Sequence, residues 1–256
     1  MSKRNTQQRR HIIVALLGEQ GEVTVDELSQ RFETSEVTIR KDLTALEKSG
    51  LLLRRYGGAV PVPKEMVAER IDEPVSPQKQ ALAKAAAERI RDHNRIIIDS
   101  GSTTAALLGE LGQKHGLVVM TNSLAVANAL RELEPEPTLL MTGGTWDASS
   151  ESFQGQVAEQ VLRSYDFDQL FIGADGIDLE RGTTTFNELT GLSRVMAEVA
   201  REVVVMVESD KLGRKIPNLE LPWSAIHTLV TDSGIAKAVQ QQLEQKGINL
   251  VIAPES

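Results

Sequence analysis

TSEVTIRKDLTALEKSG, residues 34–50, sets Arg40 and Lys41 side by side on a segment with helical periodicity. At about 100° per residue, Ile39, Leu43 and Leu46 fall on one face and Val37, Arg40, Lys41 and Thr44 on the opposite one, with Thr38 at its edge. A small apolar side chain, hydroxyls and two cations on one face suit the DNA major groove: Arg forks onto guanine O6 and N7, and a methyl group meets thymine. The same composition also suits an ordinary solvated helix face, so the flanking sequence has to decide.

Upstream, Thr6 precedes a pattern that places Ile12, Ile13, Leu16 and Leu17 on one face and ends at Gly21. Thr24 and Glu27 have capping-box spacing at the start of a second helix, whose stripe is Val25, Leu28 and Phe32. Ser35 then caps the third helix after only two or three residues, the spacing of a helix-turn-helix. Downstream, LLLRRYGGAV (51–60) reads as an apolar strand carrying Arg54 and Arg55 into Tyr56, Gly57 and Gly58, and the glycines suit a hairpin turn. A basic hairpin directly after a recognition helix is a wing placed to grip phosphates. The first sixty residues therefore predict a winged helix-turn-helix, with residues 61–77 as a linker and 78–256 as a second domain.

Charge supports this division. The chain carries a formal net charge of -8 over 256 residues, yet residues 1–57 hold +2 and the remainder -10. The acidity belongs to the larger part, which leaves the N-terminal segment free to approach a polyanion. The chain has no cysteine, which excludes a disulfide framework and a thiolate metal cage and suits a reducing cytoplasm. No apolar run reaches the roughly 18 to 20 residues of a membrane span, and the polar, basic start MSKRNTQQRR is not a secretory leader. Four scattered histidines, His11, His93, His115 and His227, lack metal-ligand spacing. A cytoplasmic protein without cofactor or metal is expected.

The run from Val23 to Val60 resembles the N-terminal domain of the DeoR family of bacterial transcriptional regulators. Ser35, Thr38, Ile39, Arg40, Asp42, Leu43 and Leu46 match its recognition-helix signature, and Arg54, Tyr56, Gly57, Gly58 and Ala59 match its wing. The resemblance implies DNA contacts from Thr38, Arg40 and Lys41 and wing contacts from Arg54 and Arg55. Asp42 is expected to be a structural partner for a neighbouring arginine. The full set of expected DNA-facing residues is Ser35, Val37, Thr38, Arg40, Lys41, Thr44, Arg54, Arg55 and Tyr56.

Pro61, Pro63, Pro74 and Pro77 mark the linker, and Ser76 and Pro77 form an N-cap and N1 pair opening the helix PQKQALAKAAAERI. Beyond it RIIID, LVVMT, TLLMT, QLFIG, EVVVMV, HTLVT and NLVIA alternate with helical patterns, which predicts a mainly parallel α/β sheet covered on both faces. Three of these strands end in small polar turns. Asp99, Ser100, Gly101, Ser102, Thr103 and Thr104 follow the first and open a helix; Asn122 and Ser123 follow the second; Gly143 and Gly144 follow the third. A Gly/Ser/Thr turn at a helix N-terminus offers amides and hydroxyls to a phosphate. Each turn alone is also ordinary capping chemistry, but three on one sheet edge form a small-molecule site where open α/β sheets bind ligands. There is no Walker loop and no dinucleotide fingerprint. Asp175, Asp178, Asn187 and Glu188 suit sugar hydroxyls and Lys211 a phosphate, and the same residues also suit surface turns.

These turns, with Ser152, Gly155, Thr184 and the Ser209–Lys211 segment, resemble the C-terminal effector domain of the same family, so the likeness spans nearly the whole chain; Leu212 departs from its common pattern. The resemblance implies a ribose-5-phosphate-isomerase-like domain that binds phosphorylated sugars and thereby adjusts operator binding, with the motifs leaning toward members that control amino-sugar or hexitol genes, among them regulators of glucosamine-6-phosphate synthesis. It also raises a rival, a sugar-phosphate aldose-ketose isomerase, because Gly173 to Asp178 is similar to that enzyme's catalytic stretch. Here ERGTTTFNE replaces the glycine-rich turn expected after the second Asp, which leaves the base unplaced. The expectation is a non-enzymatic repressor whose partners are double-stranded operator DNA, a sugar phosphate and further copies of itself as a dimer or tetramer, since paired half-sites require paired heads.

Overall fold

The computed structural model describes residues 3–48, 52–55, 57–61, 75–148, 150–187 and 190–254. Tyr56, Glu188 and most of the expected linker lie outside the described residues. The chain divides into two compact units, Met1–Val67 and Ala68–Ser256.

The first unit holds α1 (Lys3–Gln20), β1 (Val23–Thr24), α2 (Val25–Arg31), α3 (Glu36–Lys48), β2 (Leu53–Arg55) and β3 (Gly58–Val60). Helix α1 begins a turn before Thr6, which is therefore interior rather than a cap; neither Gly nor Pro precedes it to stop the helix. Its end is as expected: Gly21 has φ 77° and its amide returns to the Leu17 carbonyl. The capping box at α2 is complete, with the Glu27 amide on Thr24 Oγ1 and the Thr24 amide on Glu27 Oε2. Ile13, Leu17, Leu28, Ile39, Leu43 and Leu52 fill a core no more than 2% exposed, each contributing about 1.5–3 kcal/mol of apolar burial. The two hairpin glycines act differently. Gly57 supplies a φ of 80°, whereas Gly58 lets β3 approach β1, because a Cβ there would strike the Val23 carbonyl.

The second unit is a doubly covered sheet. Its strands are β4 (Arg95–Ile98), β5 (Val118–Thr121), β6 (Thr138–Met141), β9 (Phe167–Ile172), β12 (Ala200–Met206), β14 (Thr228–Thr231) and β15 (Asn249–Ile252). All seven are parallel, in the order β15-β14-β12-β9-β4-β5-β6. Helices α4 (Pro77–Ala87), α5 (Ser102–Ala105), α6 (Leu124–Leu130), α7 (Gln156–Leu162), α8 (Gly191–Glu198) and α9 (Lys237–Gln245) accompany them. Strand alternation divides the core between the two faces: Ile96 and Ile98 pack in one cluster and Ile97 in the other, as do Val204 and Val203.

Two small antiparallel pieces sit on this frame. The hairpin β7 (Thr145–Asp147) and β8 (Ser152–Gln154) follows β6, and a three-stranded sheet is built from β10 (Gly176–Asp178), β11 (Gly182–Thr185) and β13 (Asn218–Pro222). The main sheet grows from β4 in one direction through β5 and β6, then in the other through β9, β12, β14 and β15. The strand order therefore reverses between β4 and β9, and open sheets bind ligands at such a reversal.

Candidate DNA-reading head and effector cleft

In the first unit, Ile39, Leu43 and Leu46 of α3 point inward while Val37 stands 59% exposed with Arg40 and Lys41 in solvent. An exposed valine beside two cations is poorly explained by packing. Arg40 Nη2 donates to Glu36 Oε2 at 2.7 Å, an exposed pair of the kind that exchanges readily for other partners. Ser35 Oγ lies 2.9 Å from Thr38 Oγ1 and 3.3 Å from the Thr38 amide, so Ser35 caps α3 as expected. Arg54 is braced against that helix, with Nη1 2.9 Å from Thr44 Oγ1 and its amide on Glu47 Oε1. The wing and α3 are thus tied at their adjoining surfaces. Arg55 is exposed on β2.

Asp42 is 2% exposed and accepts from Arg9 Nε at 2.6 Å and Arg10 Nε at 2.8 Å. It fixes α3 to α1, the structural role expected of it.

In the second unit, the ends of β4, β5 and β6 lie side by side. Asn122 at the end of β5 reaches across: its Oδ1 accepts from the Ser100 amide at 3.0 Å and its Nδ2 donates to Asp99 Oδ1 at 2.8 Å. Gly101 has φ 133°, which turns the chain into α5. Thr104 is fully buried and donates to the carbonyls of Asp99 and Gly101, and Ser123 caps α6 through the Val126 amide. These two hydroxyls build the turns. Gly143 and Gly144 have φ 61° and 108°, and a Cβ on Gly144 would strike the Gln154 carbonyl, so this turn serves the packing of β8.

Across the strand-order reversal, Asp175 follows β9 and accepts from Thr185 Oγ1 at 2.7 Å and the Phe186 amide at 3.1 Å. Asn187 continues this loop with its amide on Thr185 Oγ1. Asp178 differs from expectation. It is buried, its Oδ1 accepts from the Glu180 and Arg181 amides, and its Oδ2 accepts from Arg181 Nε at 2.7 Å. Those bonds, Arg181 Nε first, hold its carboxyl below the usual range. Its oxygens close the β10–β11 turn and are taken before any ligand arrives.

Two residues that the motifs did not single out join the cleft. Lys79 is 7% exposed, and its Nζ donates to Ser102 Oγ at 2.9 Å. Burial lowers its pKa, Glu208 pulls the other way, and the charge of Lys211 adds to the depression. Lys79 and Lys211 therefore stand near one another beside the Ser102 turn, with Glu208 close by. The signal was available: Lys79 lies on the Leu82, Ala83, Ala86 stripe of α4, where a lysine has no packing reason to be. Glu220 on β13 is 9% exposed and carries no sequence signal beyond an acid between two leucines. Burial first, then the charge of Asp99, pushes its carboxyl up to about 8. Asp99 itself is raised to about 6, chiefly by burial, against the pull of Asn122 and Ser100.

Among the described residues no helix is long and apolar enough to cross a membrane, and no group of three His, Cys, Asp or Glu side chains is arranged to hold a metal ion.

Comparison with known proteins joins the two units. Residues 9–64 match the DeoR-like helix-turn-helix domain and residues 75–233 the DeoR C terminal sensor domain. A protein of Escherichia coli O157:H7 named for transcriptional repression of the aga operon is 38% identical over 98% of this chain and 95% of its own length. The HTH-type transcriptional regulator GolR of Listeria innocua is 31% identical over 96% of this chain and 98% of its own. Among solved structures, ribose 5-phosphate isomerase A of Methanocaldococcus jannaschii is similar over 54% of this chain and 55% of its own, with 22% identity and a TM-score of 0.39, a level that carries no inference about activity. The chain belongs to the DeoR family of transcriptional regulators and is a DNA-binding regulator rather than an enzyme.

Proposed function

We propose that this DeoR-family regulator is a cytoplasmic repressor of carbohydrate or amino-sugar genes whose grip on operator DNA is set by a phosphorylated sugar in the strand-end cleft. Val37, Thr38, Arg40 and Lys41 read the major groove, Thr44 and Ser35 flank it, and Arg54 and Arg55 of the wing hold phosphates. Arg40 exchanges Glu36 for a base or phosphate on binding.

One observation carries the effector reading: a nine-tenths buried lysine from α4 is hydrogen-bonded to Ser102 in the turn after the sheet's first strand, at the strand-order reversal. An ammonium held beside a Gly/Ser/Thr turn is an arrangement suited to a phosphate. Lys79, Lys211 and the amides of residues 101–103 would hold that phosphate. Asp99, Asn122, Asp175 and Asn187 then face the sugar, the first three already pre-ordered by their mutual or loop hydrogen bonds.

Gating requires the sugar to bind the operator-competent and incompetent states differently, by about 1–3 kcal/mol. Repeated half-sites call for at least two heads, so the regulator acts as a homo-oligomer. Calorimetric titration of the full chain with hexose and hexitol 6-phosphates tests the effector reading. One member binding with micromolar affinity while its unphosphorylated parent does not is the expected result; equal affinity for both would overturn it.

A further inference from the structure

Glu220 is set apart by what surrounds it. Its Oε1 accepts from Ser193 Oγ at 2.8 Å and its Oε2 from Thr183 Oγ1 at 3.3 Å. Neutral hydroxyls are thus the hydrogen-bond donors that the described residues supply to this buried carboxyl. The neighbouring cation is turned away: Arg194 directs Nε to the Glu220 carbonyl at 3.2 Å and Nη2 to the Leu219 carbonyl at 2.9 Å.

The position of Glu220 follows from β11. Thr183 and Thr185 are two residues apart on that strand and share a face; Thr183 meets Glu220 and Thr185 meets Asp175. Thr184 points the other way, to the Arg214 carbonyl. Glu220 and Asp175 therefore line the same side of the small sheet, and Asp99, at the end of β4, is near enough to act on both electrostatically. Three carboxyls from three elements face this region, while the charges of Glu208 and Lys211 act on Lys79. The two lysines thus stand at the Ser102 turn with Glu208 beside them, and the remaining acids toward the small sheet. The acids do not converge as metal ligands would.

We propose that Glu220 is a specificity-determining residue of the effector cleft, which with Asp99 and Asp175 selects effectors that present hydrogen-bond donors to these acids, and which releases a proton as such an effector binds. This rests on the cleft being the effector site. Glu220 is buried among neutral hydroxyls and the charges of Asp99 and Asp175 act on it, so its carboxyl retains a proton in the empty cleft. Donors arriving from the ligand favour the ionised form, and the Glu220 carboxyl proton passes to the solvent buffer. The raised carboxyl of Glu220, about 8, agrees with a proton held there near neutrality.

The test is calorimetry on the full chain at pH 6, 7 and 8, in two buffers of different ionisation enthalpy, with inorganic phosphate and with hexose and hexitol 6-phosphates as probes. For the best sugar phosphate, wild type should release up to one proton at pH 7, and its affinity should rise severalfold from pH 6 to 8 relative to E220Q. E220Q should bind that probe at least tenfold more weakly at pH 8 yet bind inorganic phosphate as wild type does. Ser193→Ala, which removes a bond favouring the ionised carboxylate, should move the pH profile upward, a shift that a purely structural role would not produce. Equal affinity and equal proton release in wild type and E220Q would overturn the assignment of Glu220 alone. If no sugar phosphate binds wild type, the effector reading falls and this inference with it.

Discussion

Lys79 Nζ donates to Ser102 Oγ at 2.9 Å, which ties the first turn of α4 to the turn that follows the sheet's first strand. The contact joins residues 23 positions apart and puts the buried cation at the proposed phosphate position. Lys79→Met keeps the stem and removes the charge. Charge-assisted bonds of this kind contribute about 1.5–3 kcal/mol, so sugar phosphates and inorganic phosphate should bind roughly 10–100-fold more weakly by calorimetry. Operator affinity without ligand should not change.

The ties from Asp42 to Arg9 and Arg10 make it the residue on which the orientation of α3 depends. Asp42→Ala leaves two guanidinium groups without their acceptor, one of them buried, at a cost of about 3 kcal/mol to the head. Scanning calorimetry of the full chain should show the head's transition at lower temperature and the sheet domain's unchanged.

Arg40 contributes little to the fold. Its pair with Glu36 is about half exposed on both sides, and such pairs are worth at most about 0.5 kcal/mol. Arg40→Ala should therefore leave the melting temperature within a degree while abolishing preference for operator over random DNA in a competition assay. Loss of sugar-phosphate binding in the same variant would point instead to general misfolding.

Glu220 makes stability depend on pH. Its carboxyl is raised from 4.5 to about 8 in the fold, so its contribution is fully present below about pH 4.5 and is lost as pH rises through about 8. Glu220→Gln removes the ionisation. The variant should match wild type near pH 5 and exceed it by several degrees in melting temperature above pH 8, which thermal scans across that range would measure.

Much of this architecture was legible because it rests on local periodicity. The α3 wheel placed Ile39, Leu43 and Leu46 inside and Arg40 and Lys41 outside, and all seven apolar runs became strands of the parallel sheet. Turn chemistry was legible as a class but not by task. Thr104 and Ser123, expected at a ligand, also hold backbone, and Asp178 is bonded to Arg181, because hydroxyls and carboxylates in tight turns find nearby partners first. The opposite error came from long-range packing. Lys79 and Glu220 reach the cleft from a helix and a strand outside its turns; the lysine on the apolar stripe of α4 was a readable signal, whereas nothing in the sequence marked Glu220. The start of α1 at Lys3 lies ahead of Thr6 because no Gly or Pro before the apolar pattern keeps the helix from beginning earlier.

The most direct test of the account is fluorescence anisotropy of the full chain on labelled DNA from its own upstream region, titrated with and without each sugar phosphate, for wild type and Lys79→Met. The account predicts specific binding by both proteins, with one sugar phosphate shifting wild-type affinity by about 5–150-fold and shifting Lys79→Met far less. Specific DNA binding that no sugar phosphate moves, or a shift of equal size in both proteins, would contradict it.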